Sequence, residues 1–161
     1  MKGHIQGFSF RKATAEDIDL LVRTRIEVLR AANGLTGGAD MRDVERQSRA
    51  YYENALADKT HTALLVFDHD RFVGAGGISY YRVMPTYHNP TGRKGYIMNM
   101  YTRLEYRRKG IALHTLDLLV QDAREKGIAC ISLEATAAGR PLYEKYGFSD
   151  MKNEMELALR L

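Results

Sequence analysis

Apolar positions along this chain change their spacing several times, and each change marks a new element. Phe8-Ser9-Phe10-Arg11 alternates apolar with polar and predicts a short strand. Thr14 starts a helix, with Asp17 three residues on in a version of the capping box. Ile18, Leu21, Val22, Ile26 and Leu29 then share one helical face, and Ala32-Asn33-Gly34 ends it. Asp40 is placed to cap a second helix, which carries Val44, Tyr51 and Leu56 as core positions. Residues 61–68 hold the run Ala63-Leu64-Leu65-Val66-Phe67 and predict a strand. The polar turn 68–71 and a second strand over 72–83 make an antiparallel hairpin. Gly74, Gly76 and Gly77 inside that strand predict a bulge or a close approach by another group.

Residues 84–94, with Pro85, Asn89, Pro90 and Gly92, read as a loop, and residues 96–103 as the next strand. A helix follows over 112–126, buried through Ala112, Leu116, Leu119, Val120 and Ala123 and closed by Lys126-Gly127. Residues 128–134 form a further strand, parallel to the one before the helix because a crossover joins them. A short helix over 141–146 begins at Pro141, a favoured first position. A closing strand over 153–160 places Met155, Leu157 and Leu159 on one face, and a short extra strand at Phe148 is allowed. The predicted order is β-α-α-β-β-β-α-β-α-β. The fold class is mixed α/β, with a mostly antiparallel sheet, one parallel pair and flanking helices.

Composition narrows the function. The 161 residues suit one domain spanning 1–161, with 45% apolar and 27% charged residues, as in soluble globular proteins. A net charge of +4 suits an anionic ligand but is far from the charge density of a histone. The lone cysteine, Cys130, excludes an internal disulfide and a cysteine-based zinc site, and its apolar strand suits an inert thiol; no metal is expected. No apolar run is long enough for a membrane span. Met1-Lys2-Gly3-His4 leads into a strand rather than a signal-peptide core, so a cytoplasmic location is expected.

The chemistry concentrates at Arg107-Arg108-Lys109-Gly110-Ile111-Ala112, a basic turn between a strand and a helix. The first turn of a helix has unpaired N–H donors and a partial positive charge, which attract phosphate. Gly110 allows close approach, Ala112 keeps the next position small, and three adjacent cations attract an anion from a distance. The turn therefore reads as the seat of a coenzyme pyrophosphate. Neither GxGxxG nor GxxxxGK[ST] is present. Arg107, Gly110 and Ala112 instead make Arg-x-x-Gly-x-Ala after Met100-Tyr101-Thr102, and Leu142-Tyr143 with Gly147-Phe148 follows about thirty residues later.

This pair of motifs resembles the GNAT superfamily of acyl-CoA-dependent N-acetyltransferases, whose central helix starts with [QR]-x-x-G-x-[GA] and which later carries a segment like L-Y-x-x-x-G-F. The resemblance implies acetyl-CoA in a V-shaped cleft between the strands on either side of the central helix. It implies pantetheine pairing near Met100, Tyr101 and Thr102, and pyrophosphate bonds from the turn Arg107, Arg108, Lys109, Gly110, Ile111 and Ala112. It puts Tyr143 beside the sulfur as the catalytic residue. Thr136 stands where many relatives hold the pantetheine with an asparagine, and Arg140 either binds a coenzyme phosphate or neutralises Glu144.

Physical chemistry supports these roles separately. A splayed strand has unpaired backbone groups that an extended amide chain can satisfy like an added strand. Attack on a thioester carbonyl passes through an oxyanion, which a backbone N–H near Met100 can stabilise by about 3 kcal/mol. A phenol can protonate the leaving thiolate. The attacking amine must be neutral, yet the position where several relatives carry a glutamate holds Tyr96. Glu27, His88 or a water held by Asn99 are the candidate bases, and proximity alone can supply much of the rate.

The expected function is acetyl transfer from acetyl-CoA to a primary amine. The acceptor is a small molecule or a peptide, with no nucleic acid or membrane partner and a homodimer allowed. The rival is a non-catalytic acyl-CoA-sensing module of the same fold. An RNA-binding reading is disfavoured by the absence of an RNP-like aromatic strand.

Overall fold

The computed structural model describes residue 5 and residues 7–160, so the reading of Met1-Lys2-Gly3-His4 lies outside the described residues. In chain order the strands are β1 (Ser9–Lys12), β2 (His61–Asp68), β3 (Arg71–Arg82), β4 (Arg93–Thr102) and β5 (Ile131–Leu133). The helices are α1 (Ile18–Asn33), α2 (Arg42–Ala57), α3 (Ile111–Glu125) and α4 (Arg140–Tyr146). The sheet runs β1-β2-β3-β4-β5, antiparallel until β5, which joins β4 in parallel. The parallel pair comes from the α3 crossover, as expected.

Helices cover both sheet faces. Leu64, Ile78 and Ile97 pack with Leu116, Leu119 and Val120 of α3. Ala63, Leu65 and Ala75 point the other way, toward Leu21 and Val22 of α1 and Tyr52 of α2. That two-sided burial explains why β2 is continuously apolar rather than alternating. Gly76 is where α3 presses on the sheet: a Cβ there would lie 2.6 Å from Thr115 Cγ2 and 2.8 Å from Met100 Sδ.

One polar hub ties α3 to the sheet. Asp122 is only 3% exposed and accepts hydrogen bonds from Lys12, Thr62, Tyr80 and Lys126. Burial alone would raise its pKa, but these four donors outweigh burial and hold it below the usual carboxylate range. The helical pattern concealed this residue, since it sits beside Ala123 on a stripe that reads as apolar.

Several sequence expectations change. Thr14 and Asp17 do form a capping box, but on a short 3-10 turn (Ala15–Asp17) that leads into α1. Met41, not Asp40, is the N-cap of α2; Asp40 Oδ1 accepts the Arg42 N–H at 3.0 Å. Val44 and Tyr51 are not core: they are 39% and 41% exposed, while Tyr52 and Ala55 carry the burial of α2. β4 starts at Arg93, inside the expected loop, and α3 starts at Ile111.

β5 is three residues rather than seven, Phe148 lies in no strand, and residues 153–160 form no strand. A strand needs a partner ladder, and this tail has none among the described residues. Its alternating face is open, with Met155, Leu157 and Leu159 exposed by 97%, 81% and 70%.

Candidate active site

The site begins with a misfit in the ladder between β3 and β4. Ala75 pairs with Tyr101 and Gly77 with Met98, so Gly76 faces two residues, Asn99 and Met100. This is a β-bulge, and Asn99 takes the left-handed conformation it requires (φ +60°). The extra residue resets the alternation: Ile97 and Met100 both pack on the α3 side, while Tyr101 turns toward α1.

At the same point β4 leaves β5. The parallel pairing covers Gly95, Tyr96 and Ile97 only, so the backbone of β4 from Met98 to Thr102 has no strand on its β5 side. A V-shaped opening results, its walls being the end of β4 and the segment after β5. At the end of β4 the hydroxyl of Thr102 is buried with no hydrogen-bond partner among the described residues. An orphaned buried hydroxyl costs about 1–3 kcal/mol unless a ligand satisfies it.

A second 3-10 turn (Leu104–Tyr106) carries the chain from β4 to the basic turn. Arg107 Nε donates to the Thr102 carbonyl at 3.1 Å, and Lys109 Nζ lies 5.2 Å from the centroid of Tyr106. Arg108 and Gly110 both have positive φ, +62° and +82°. Those two left-handed residues bend the backbone so that Gly110 becomes the N-cap of α3, with no side chain bonded across the cap. The first N–H groups of α3, at Ile111 and Ala112, therefore have no acceptor among the described residues. The turn's residues are exposed from Arg107 to Gly110, and its cations suit a diphosphate.

Across the opening stands α4. Tyr143 is 9% exposed, packs in the same cluster as Met100, and its hydroxyl bonds no described residue. Burial raises the pKa of that phenol, which keeps its proton in place near neutral pH. Thr136 Oγ1 accepts the Gly139 N–H at 3.1 Å and so starts the turn into α4. Arg140 bonds Glu144 at 3.2 Å and Asp150 at 2.8 Å, so its charge is shared between two carboxylates.

The sheet's other face carries a pocket of about 410 Å³ between α1, α2 and the bulge. Its lining includes Arg25, Val44, Tyr51, His61, Met98 and Asn99. The sequence singles out neither His61, which opens an apolar strand, nor Arg25, which lies among other charged residues of a helix. His61 Nδ1 lies 2.9 Å from the Tyr51 hydroxyl and 3.2 Å from Ser79 Oγ. Burial, aided by the Arg25 cation, pushes the imidazole down to about 4, so it is neutral at physiological pH.

The three base candidates part company. Glu27 is bound to Arg103 at 3.1 and 3.3 Å and accepts the Tyr101 hydroxyl at 3.3 Å. His88 is exposed on the loop beside Tyr87, away from the pocket lining. Asn99 lines the pocket, with its Oδ1 accepting from Arg25 at 3.0 Å.

A model of the Acetyltransferase (GNAT) family matches residues 27–148. The chain belongs to this family. As a GNAT member it is an acetyl-CoA-dependent acyltransferase, and its own features fit that donor: the open β4 backbone, the orphaned Thr102 hydroxyl and the uncapped start of α3.

Solved structures agree. A predicted acetyltransferase from Clostridium acetobutylicum, solved with acetyl-CoA, is 38% identical with a TM-score of 0.86, over 94% of this chain and 96% of that one. A GCN5-related N-acetyltransferase from Ralstonia eutropha is 25% identical with a TM-score of 0.82, over 95% and 99%. The glucosamine-6-phosphate N-acetyltransferase of Arabidopsis thaliana shares the fold at 13% identity and a TM-score of 0.66, over 95% and 99%. No curated protein matches this GNAT chain. Among the described residues no helix is long and apolar enough to cross a membrane, and no group of three or more metal-ligating side chains is placed to hold an ion.

Proposed function

We propose that this GNAT domain, residues 1–161, transfers the acetyl group of acetyl-CoA to a primary amine by direct attack on the thioester. One observation carries the reading: β4 separates from β5 at Ile97, immediately before the bulge, and the basic turn follows at the far end of the same strand. An extended pantetheine amide chain suits the free backbone of Met100, Tyr101 and Thr102, as an added strand would. The diphosphate suits the turn from Arg107 through Arg108, Lys109, Gly110 and Ile111 to Ala112. Thr136 stands where it can border the same arm. Arg140 borders the same region with its charge already shared between Glu144 and Asp150.

The acceptor pocket approaches the bulge from the opposite face, so amine and thioester meet at the opening beside Met98 and Asn99. A backbone N–H near Met100 offsets the charge that develops on the thioester oxygen. Tyr143 gives its proton to the departing sulfur; its unpaired hydroxyl and retained proton suit that role. Glu27 is committed to Arg103, so the rate depends on proximity, with amine protons leaving through pocket water held by Asn99.

A homodimer is the assembly this reading favours. The exposed alternating tail suits pairing with the outer edge of β5, which pairs with no strand among the described residues, and a second copy can supply each. The test of function is release of free CoA thiol from acetyl-CoA against a panel of amines. Amine-dependent release with stoichiometric acetylated product is expected. Tight acetyl-CoA binding with no release for any amine would leave the sensing module instead.

A further inference from the structure

The pocket of about 410 Å³ on the α1–α2 face contains a charge that its surroundings do not explain. Arg25 is half-buried, and its one hydrogen bond among the described residues goes to the neutral Asn99 amide oxygen, at 3.0 Å. Among the described residues no carboxylate pairs with it. The contrast lies nearby, where Glu27 of the same helix gives Arg103, just after β4, a carboxylate at 3.1 Å. A guanidinium carries five donors, and a partly desolvated one without a counter-charge is costly unless a ligand neutralises it. The exposed surface of the lining is largely apolar, from Val44, Tyr51, Tyr52 and Met98, although Gln47 and Ser48 add neutral polar groups. Asp43 also lines the mouth, but it is 91% exposed and paired with Arg46 at 2.9 Å.

We propose that Arg25 binds a carboxylate of the acceptor, and that the acceptor is an α-amino acid with an apolar side chain. The inference rests on the acetyl-transfer reading above and names the substrate of that same site. Guanidinium and carboxylate match as a planar bidentate pair, which a single ammonium donor cannot imitate. Val44, Tyr51, Tyr52 and Met98 form the cover for the side chain. The geometry also places the amine. Arg25 touches Asn99, the bulge residue itself, and in an α-amino acid the amino group and the carboxylate share one carbon. A carboxylate held at Arg25 therefore leaves the amine beside Met98 and Asn99, at the mouth of the V-shaped opening. Polyamines and aminoglycosides would bring a second cation against Arg25 and are disfavoured.

The experiment compares leucine, methionine and phenylalanine with the same amines lacking the carboxylate, isoamylamine, 3-(methylthio)propylamine and phenethylamine, by thiol release with acetyl-CoA. At least one amino acid is expected to exceed its decarboxylated partner in kcat/KM by at least tenfold. Arg25→Gln should collapse that ratio toward one, through KM for the amino acid, and Arg25→Lys should restore part of it. Equal or better use of the decarboxylated amines, turnover of polyamines alone, or an unchanged ratio in a folded Arg25→Gln would overturn the proposal. If no amine releases thiol, the acetyl-transfer reading itself fails. Calorimetry of the same amino acids on the CoA-loaded protein then decides the binding claim: heat lost in Arg25→Gln supports it, and no heat with the unaltered chain overturns it.

Discussion

The side chain of Arg107 reaches back to donate to the carbonyl of Thr102 at 3.1 Å, closing the basic turn onto the end of β4. The Thr102 hydroxyl is buried and has no partner among the described residues. Replacing Thr102 with valine removes the orphan at nearly constant volume. The ligand-free protein should gain about 1 kcal/mol in denaturant unfolding, while acetyl-CoA affinity by calorimetry falls about fivefold. Unchanged affinity would place the hydroxyl outside the coenzyme site.

Gly110 has φ of +82°, and among the described residues a Cβ there would meet only Ile5 Cδ1, at 3.5 Å. Space is therefore available, and backbone conformation and charge are what a substitution disturbs. Gly110→Asn tolerates the left-handed region and should weaken acetyl-CoA binding modestly. Gly110→Asp, of the same size but anionic, should weaken it by about 100-fold or more by repelling the diphosphate. Similar affinities for the two variants would refute a phosphate at this turn.

Tyr143→Phe keeps the ring in its cluster and removes only the hydroxyl. Turnover should fall by about 10² while acetyl-CoA affinity is spared. Equal losses of both would mean that the ring packs and does no chemistry.

Asp122 is expected to shape acid stability. Its folded-state pKa is lowered by the donors around it, so its contribution is complete above the ordinary carboxylate range and is lost as pH falls through and below that range. Asp122→Ala should cost about 3 kcal/mol at pH 7, because it leaves Thr62, Tyr80 and two lysines without this acceptor. The variant's stability should also decline less steeply below pH 4, as read by urea midpoints across pH. A parallel decline would assign the acid limb to other groups.

The tail supplies the last prediction. Deleting residues 153–161 should convert a dimer to a monomer in sedimentation, since it removes the strand offered to β5 of a second copy. An undeleted chain that is monomeric at micromolar concentration would sink the assembly.

Much of this protein is written locally. The periods of β2, β3, α1 and α3 and the cap at Gly34 follow from neighbouring residues, because pleat, helical stripe and left-handed cap are short-range matters. So does the turn at 107–112, where glycine and helix start are adjacent. Tertiary structure alone decided the rest. It closed β4 against β3 with one residue too many at Asn99, brought His61 to Tyr51, and left Arg25 facing an apolar pocket. It put the polar Asp122 in the core, and it exposed Tyr51 and Val44 although their spacing reads as core. It also withheld a ladder from the closing segment. Each outcome depends on which distant elements share a surface, and sequence periodicity reports a face without naming what lies across from it.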